Sequence, residues 1–306
     1  MLSGFKSKVK AKLDAIEKDP QLMLCEQMSG KMSGCKSITS SSADNSTCQG
    51  RINKALNDIR NYSPTCADAL QRWQLPSTDK RHITQKQLVK ILEKEGCPIC
   101  ICAFCYAYRD LSGSGIISEN KNVKFAAVGR YLSERVRDYN ELPIVIGFYG
   151  SDGLRHERIE SFGDTKNVIQ ARNYLRIMNK PENKAVIFSV WTKNPEHWYQ
   201  AMLIEGRPEN LKMILSSAYV NTPDIKTAIR YNELLPGMIN SVFTVWTENG
   251  MNRANITLNC CGSERDKVIP RKCENCLNCY LLAGNPELAL QFVTHPEIQA
   301  VNEILR

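Results

Sequence analysis

Short continuous apolar runs alternate with helical apolar spacing from about residue 122 onward. Such runs are typical of strands buried on both faces of a parallel sheet. The predicted strands are Pro143–Phe148, Ala185–Trp191, Met213–Ser217 and Ser241–Thr247. The predicted helices span residues 122–137, 166–180, 195–204 and 224–234. This alternation predicts an α/β fold with a parallel sheet and right-handed crossovers.

The last three of these helices begin at recognisable start positions. Asp164–Thr165, Asn194–Pro195 and Thr222–Pro223 each place a capping residue or a first-turn proline at a helix start. A parallel sheet of this kind either closes into a barrel or stays open as a doubly wound sheet. Because the recognisable strands are well short of eight, we expect a partial (β/α) barrel rather than a full eightfold one.

The first 95 residues differ from the rest because they are predicted to be mostly helical, with a loop at residues 29–47 that is rich in serine and glycine. A capping box at Thr84 and Gln87 starts one helix, and Gly96 ends it. The first helix turns a set of apolar residues inward, namely Leu2, Phe5, Val9, Leu13 and Ile16. The expected regions are 1–95, a barrel core at 96–259, and a C-terminal region at 260–306 with cysteines and helices.

The composition is that of an ordinary globular protein, with 42% apolar and 24% charged residues in a chain of 306. No stretch approaches the roughly 18–20 apolar residues of a membrane span, and the start of the chain lacks the features of a secretory signal. We therefore expect a cytoplasmic protein without a membrane partner.

The basic charge is concentrated in the N-terminal region. Of the formal net charge of +8, residues 1–100 supply +6, from 16 Lys and Arg against 10 Asp and Glu. Lys6, Lys8, Lys10 and Lys12 fit the solvated face of the first helix. The same region is a candidate contact for nucleic acid or a host protein, because a basic patch that clusters in space attracts phosphate.

The 13 cysteines are the most informative feature of the composition, because a reduced compartment does not support a disulfide framework. Two thiolates in a C-x-x-C turn reach one metal at little cost in chain entropy. Solitary cysteines such as Cys25, Cys35 and Cys66 fit buried apolar positions instead. Nine of the thirteen fall in two clusters, Cys97, Cys100, Cys102 and Cys105, and Cys260, Cys261, Cys273, Cys276 and Cys279.

The spacing leaves the identity of the metal open. The C-x-x-C-x-x-C run at 273–279 is typical of iron–sulfur proteins. A pair of C-x-x-C cysteines with two further cysteines builds a structural zinc site equally well. The two cysteine regions form either two sites or one merged site, since the first and last strands of a barrel can be neighbours.

The segment Cys102–Ala107 reads C-x-aromatic-C-Y-A, which resembles the cysteine motif of radical S-adenosylmethionine proteins and, more closely, that of the phage gene-product-88 family. Several other stretches are similar to that family. These are Lys31–Thr39, Cys48 with Arg51, Arg158–Asp164, Val186–Lys193 and Cys273–Tyr280. The resemblance implies a phage-encoded iron–sulfur protein, located in the host cytoplasm, on a barrel of radical S-adenosylmethionine type.

The resemblance also implies a ligand set. Three thiolates would hold a [4Fe–4S] cluster, and S-adenosylmethionine would bind the open iron. The usual C-x-x-x-C-x-x-C motif requires a cysteine at position 98, which is Pro98 here, so Cys97, Cys100 or Cys48 completes the trio. The predicted metal ligands, for one or two clusters, are Cys48, Cys97, Cys102, Cys105, Cys261, Cys273, Cys276 and Cys279.

Cofactor contacts are expected where the strands end, because barrels and doubly wound sheets bind ligands at that edge. The candidates are Gly163, Asp164, Thr192 and Lys193. Asp164 equally fits the N-cap of the helix that follows. No residue is assigned a catalytic role, and no substrate is predicted. The alternative function is a zinc-stabilised protein that binds nucleic acid or protein and has no enzymatic activity.

Overall fold

A computed structural model describes residues 2–26, 34–40, 46–104, 116–160, 164–254 and 298–305, without the side chains of 2–3, 46–48, 116–118 and 303–304. The described helices are α1 (Leu2–Lys18), α2 (Ser46–Tyr62), α3 (Pro64–Gln74), α4 (Gln85–Glu95), α5 (Ile116–Glu134), α6 (Val168–Asn179), α7 (Pro195–Glu205), α8 (Ile225–Leu234) and α9 (Glu248–Ala254). The described strands are β1 (Leu24–Glu26), β2 (Lys36–Ile38), β3 (Phe148–Tyr149), β4 (Arg155–Ile159), β5 (Val186–Thr192), β6 (Leu211–Ser216), β7 (Ser241–Trp246) and β8 (Gln299–Ile304).

These eight strands form one mostly parallel sheet in the order β1-β2-β4-β5-β6-β7-β8, with β3 paired to β4. All neighbours from β2 to β8 along this path are parallel, whereas β1 and β3 pair antiparallel. The predicted α/β fold with a parallel sheet is therefore confirmed. Within the described ranges β1 and β8 do not pair, so the sheet is not closed.

The parallel strands follow one another across the sheet in chain order, without the reversal that defines a doubly wound sheet. Right-handed crossovers in such a sheet all return over the same face. The helices accordingly pack side by side, with α1 against α5, α5 against α6, and α6 against α7. We call the face under these helices the outer face and the opposite one the inner face.

The predicted strand at 143–148 is wrong except at its last residue. Its segment is held by side chains instead of a neighbouring strand, since Val145 N donates to Asn183 Oδ1 at 2.7 Å and Asn183 Nδ2 donates to Pro143 O at 3.0 Å. Lys180 Nζ donates to Leu142 O at 2.9 Å. Pro143 has no N–H to give to a strand ladder, which favours this arrangement.

The helix-start predictions have mixed outcomes. Pro195 opens α7 and Asn194 is its N-cap residue, as predicted. The start at Thr222–Pro223 is too early, because Asp224 caps α8 and accepts from Thr227 N. The capping box of Thr84 and Gln87 and the left-handed Gly96 at the end of α4 are both confirmed.

The main core lies between the outer face and the helices. It includes Val186, Phe188 and Val190 of β5 together with Val9 and Ile16 of α1. Phe5 and Leu13 pack against it half-buried, so the predicted inward face of α1 is confirmed for these four side chains. Three of the four predicted surface lysines of α1, namely Lys6, Lys8 and Lys10, are exposed, whereas Lys12 is half-buried. Lys8 Nζ pairs with Glu119 at 2.6 Å, and contact with nucleic acid stays a prediction.

A second apolar cluster surrounds the first cysteine segment. It joins α2, α3 and α4, for example through Ile59, Leu70 and Leu88, to Cys97 and Ala103. The helices of the N-terminal region thus hold the cysteine segment against the rest of the chain.

Glu157 is an unusual core residue, because its carboxyl oxygens are buried and neither has a hydrogen-bond partner. Burial raises the pKa of this carboxyl well above its usual range, which favours the neutral acid over the carboxylate. We expect Glu157→Met to raise the free energy of unfolding at pH 7 by about 1–3 kcal/mol, since it removes an unpaired polar group. Urea denaturation measures this.

The stabilising effect of Glu157→Met should depend on pH. A raised folded-state pKa contributes stability that is present below about pH 4.3 and is lost as the pH rises. The gain from Glu157→Met should therefore be larger at pH 8 than at pH 4. The same change at the exposed Glu209 should alter stability by less than about 0.5 kcal/mol. An equal effect at both positions would contradict the assignment.

Candidate functional site

The ends of β4 and β5 bring three predicted cofactor residues together. The Asp164 side chain is almost fully buried and accepts hydrogen bonds from Thr192 Oγ1 at 2.8 Å and Lys193 N at 2.7 Å. It also accepts from Thr165 N at 2.9 Å. These residues lie at the carboxyl edge of the parallel strands, where α/β folds bind ligands. Gly163, the fourth predicted residue, lies outside the described part of the chain.

Arg51 of α2 completes this cluster. Its Nη1 lies 3.4 Å from Asp164 Oδ2, and its Nη2 donates to Asn194 Oδ1. Asn194 N in turn donates to Thr192 Oγ1 at 2.8 Å. The guanidinium therefore ties a helix of the N-terminal region to the edge of the sheet and leaves a cation beside the strand ends.

The alternative role of Asp164 as a helix N-cap is wrong. Helix α6 begins at Val168, and its N-cap is Asn167, whose side chain accepts from Gln170 N at 2.9 Å. Asp164 lies before that cap, and both of its oxygens serve the strand edge. Its role is to fix the positions of Arg51 and Lys193.

Lys193 extends from the end of β5 toward the next strand. Its Nζ donates to Ser216 Oγ at 2.9 Å, and the side chain is half-buried. The ammonium group acts on both Cys100 and Cys102, where it favours the thiolate forms. Lys193 thus connects the strand-edge cluster to the cysteines.

The first cysteine segment is anchored by backbone hydrogen bonds to the loop after β6. Ile101 N donates to Ala218 O at 2.9 Å, and Val220 N donates to Ile99 O at 2.8 Å. A short 3-10 turn at Ile101–Phe104 follows. These bonds hold Cys100 and Cys102 at the carboxyl edge of the sheet.

The Cys100 and Cys102 side chains form a hydrogen-bonded thiol pair. The hydrogen bond from Cys102 lowers the pKa of Cys100 to about 6, and the Lys193 ammonium adds to this effect. That same hydrogen bond, together with burial, raises the pKa of Cys102, while Lys193 and Arg51 oppose the rise. A thiolate at neutral pH in a basic environment is a ready ligand for a soft metal.

Cys97 has a different environment from this pair. Burial and the adjacent Cys66 thiol, to which it is hydrogen-bonded, raise its pKa to about 12. Helix α2 contains Cys48 three residues before Arg51, but its side chain is not described. Among the described residues no group of three or more His, Cys, Asp or Glu side chains is arranged to hold a metal ion. The other predicted ligands, Cys105, Cys261, Cys273, Cys276 and Cys279, lie outside the described residues.

A second polar network lies at the end of β4. Glu160 has a positive φ of 56° and is fully buried among donors. Its carboxylate accepts from Tyr174 OH at 2.6 Å, Gln170 Nε2 at 3.0 Å and Ser40 N at 3.2 Å. Burial outweighs these donors and raises the pKa of Glu160 to about 7. The network joins the ends of β2 and β4 to α6.

This pKa predicts a pH-dependent stability that Glu160→Gln removes. Because the folded-state pKa is raised, the contribution is fully present below about pH 4.3 and disappears as the pH rises through about 7. Compared with Glu160→Gln, the free energy of unfolding of the wild type should fall by about 3 kcal/mol between about pH 4.3 and slightly above pH 7 and should not change further at higher pH. Urea denaturation from pH 4 to 8 measures the difference. A constant difference would contradict the assignment, and Glu134→Gln at an exposed site is the control.

The sequence marks Arg51 only as part of a family resemblance and Asn194 only as a helix start, so neither was predicted to lie at this edge. No protein-family model, curated protein or solved structure matches this chain. In the described ranges, every helix is too short or too polar to cross a membrane. Function is therefore inferred from the residues at the carboxyl edge.

Proposed function

We propose that this chain is an iron–sulfur protein of radical S-adenosylmethionine type on a partial (β/α) barrel, acting on an unidentified substrate. One observation carries the proposal. The Cys100 and Cys102 thiols lie at the carboxyl edge of a parallel sheet, with Lys193 and Arg51 beside them. The sequence C-x-aromatic-C-Y-A begins at Cys102, and its resemblance to radical S-adenosylmethionine proteins is what supports an iron–sulfur cluster and S-adenosylmethionine as the cofactors.

The motif supplies two of the three cysteines that a cluster of this type requires. Cys102 and Cys105 are the two cysteines of the motif, and Cys100 is the best third ligand because it is in contact with Cys102 and has a low pKa. Cys97 is a weaker candidate, since its thiol is hydrogen-bonded to Cys66 and its pKa is about 12. The positive charges of Lys193 and Arg51 offset the negative charge of a thiolate-bound cluster.

These cysteines would hold a [4Fe–4S] cluster, which in its reduced form would supply one electron for the cleavage of a carbon–sulfur bond of S-adenosylmethionine, with methionine as the leaving group. The chain's own residues bind and orient that cofactor. Lys193 and Arg51 are the cations available for its carboxylate, and Asp164 and Thr192 keep them in position through the hydrogen bonds at the strand edge. Gly163 would leave room for a close backbone approach.

A second site is part of the proposal. Cys273, Cys276 and Cys279, with Cys261, have the spacing of a further cluster or of additional ligands to the first one. This part of the proposal follows from the sequence alone.

The binding of S-adenosylmethionine is tested by electron paramagnetic resonance of the reduced protein. Addition of S-adenosylmethionine should change the signal of a cluster with an open iron. Lys193→Met should require a higher cofactor concentration for the same change, whereas Lys184→Met, at an exposed site, should not. If the signal of a protein with its full content of iron and sulfide does not change when S-adenosylmethionine is added, the chain is an iron–sulfur protein of another kind.

A further inference from the structure

The inner face of the sheet has a row of buried polar side chains. Ser37, Arg158, Ser189 and Lys212 are in-register partners across β2, β4, β5 and β6. Residues in register on adjacent parallel strands point to the same face. None of these four side chains is more than 7% exposed. A row that is half cationic and half hydroxyl is an unusual lining for a sheet interior.

Polar and aromatic groups continue this row along the same face. Lys212 Nζ donates to Gln299 Oε1 of β8 at 3.2 Å, and Ser241 of β7 is the in-register partner of Gln299. Two residues beyond Ser189, the Trp191 ring lies 4.4 Å from the Arg158 guanidinium carbon. The rings of Trp191 and Phe243 are 4.3 Å apart. Cationic side chains (Arg158 and Lys212) and aromatic side chains (Trp191 and Phe243) therefore lie on the same face of the sheet.

Three polar atoms on this surface are buried without a hydrogen-bond partner. They are Ser189 Oγ, Ser241 Oγ and Trp191 Nε1. Ser189 and Ser241 are both fully buried. A buried polar atom without a partner is costly, so native proteins keep such groups where a ligand or ordered water satisfies them. Ser189 is the in-register partner of both Arg158 and Lys212, and the Trp191 ring lies against Arg158. A ligand that accepts hydrogen bonds from these two residues therefore lies next to positive charge, which favours an anion.

We propose that this inner face binds the anionic group, a carboxylate or a phosphate, of the substrate. Arg158 and Lys212 supply the charge, and Ser189 and Trp191 supply hydrogen bonds. The identification of the anion as part of a substrate rests on the proposed function, whereas anion binding itself does not. The sheet edge with Lys193 and Cys102 is the other end of the same surface.

The strand geometry fixes the approximate size of the substrate. Ser189 precedes Lys193 by four residues, which at about 3.3 Å per residue gives about 13 Å along β5. The anionic group therefore lies about 13 Å below the carboxyl edge. Trp191 and Phe243 lie along this path, which suits an apolar or planar middle section.

Anion binding is tested with thermal unfolding of the anaerobically purified full chain. The probes are inorganic pyrophosphate and glutarate, each compared with sodium chloride at equal ionic strength. We expect one of them to raise the Tm of the wild type, and the more effective probe tells phosphate from carboxylate. Lys212→Met should weaken this response about tenfold or more, and Lys226→Met, at an exposed site, should leave it unchanged.

The variant Ser189→Ala distinguishes an anion-binding role of the Ser189 hydroxyl from a purely structural one. Removal of an unpartnered hydroxyl should raise the Tm without anion and weaken the response to the anion about tenfold. No response of the wild type to either probe, or a Ser189→Ala response equal to that of the wild type, would overturn the proposal. Iron and sulfide are measured on the same samples. A wild-type protein that lacks iron and sulfide but still responds to the anion would overturn the proposed function and leave anion binding intact.

Discussion

Replacement of Cys102 by serine is expected to remove most of the iron and sulfide from the anaerobically purified protein. Cys102 is the motif cysteine whose side chain the structure describes, and it lies against Cys100 beside Lys193 and Arg51. Serine is a poor ligand for a cluster, and its hydroxyl does not ionise at neutral pH. Iron and sulfide assays, with the absorption spectrum, measure the loss.

The matched control is Cys25→Ser. Cys25 lies in β1, is half-buried, and its thiol is 3.6 Å from Met23 O. This change should leave iron and sulfide at the wild-type level. Circular dichroism of both variants checks that they are folded. Full iron and sulfide in a folded Cys102→Ser protein would show that Cys102 is not a ligand.

Asp164→Asn is expected to have the largest effect on stability, a loss of about 2–4 kcal/mol. The carboxylate accepts from Thr192 Oγ1, Lys193 N and Thr165 N and pairs with Arg51, whereas an amide has only one acceptor oxygen. At least one buried donor would then face an NH₂ group, and the guanidinium would lose its counter-charge. Urea denaturation at pH 7 measures the loss, and the response to S-adenosylmethionine should weaken with it.

Asp224→Asn is the corresponding control. Asp224 caps α8 by accepting from Thr227 N at 3.4 Å, and asparagine caps a helix about as well as aspartate. Its expected change is below about 0.5 kcal/mol. Equal stability of the two variants would mean that the Asp164 cluster does not organise the strand edge.

The sequence predicts those strands whose buried residues are apolar. Three of the four predicted strands, at 185–191, 213–217 and 241–247, lie close to β5, β6 and β7. Strand β4, with the sequence Arg-His-Glu-Arg-Ile, escapes detection because most of its buried side chains are polar. Arg158 is buried on the polar inner face, and Glu157 is buried in the core without a hydrogen-bond partner. A search for hydrophobic periodicity does not detect a strand of this composition.

The candidate site is partly predictable for a related reason. Asp164, Thr192 and Lys193 follow from the rule that parallel strands end at one edge. Arg51 reaches the edge from a helix more than 100 residues earlier in the chain, and no local pattern encodes such a contact. The order of preference among Cys48, Cys97 and Cys100 cannot be predicted from cysteine spacing, because it depends on which thiols the fold brings together: Cys100 with Cys102, and Cys97 with Cys66.

The most direct test of the central claim is the content of iron, sulfide and zinc in the wild-type chain after anaerobic purification. We expect about four iron and four sulfide per chain for each [4Fe–4S] cluster, with a broad brown absorption that weakens on reduction. Zinc without sulfide would contradict the iron–sulfur assignment and would indicate a protein stabilised by structural metal sites.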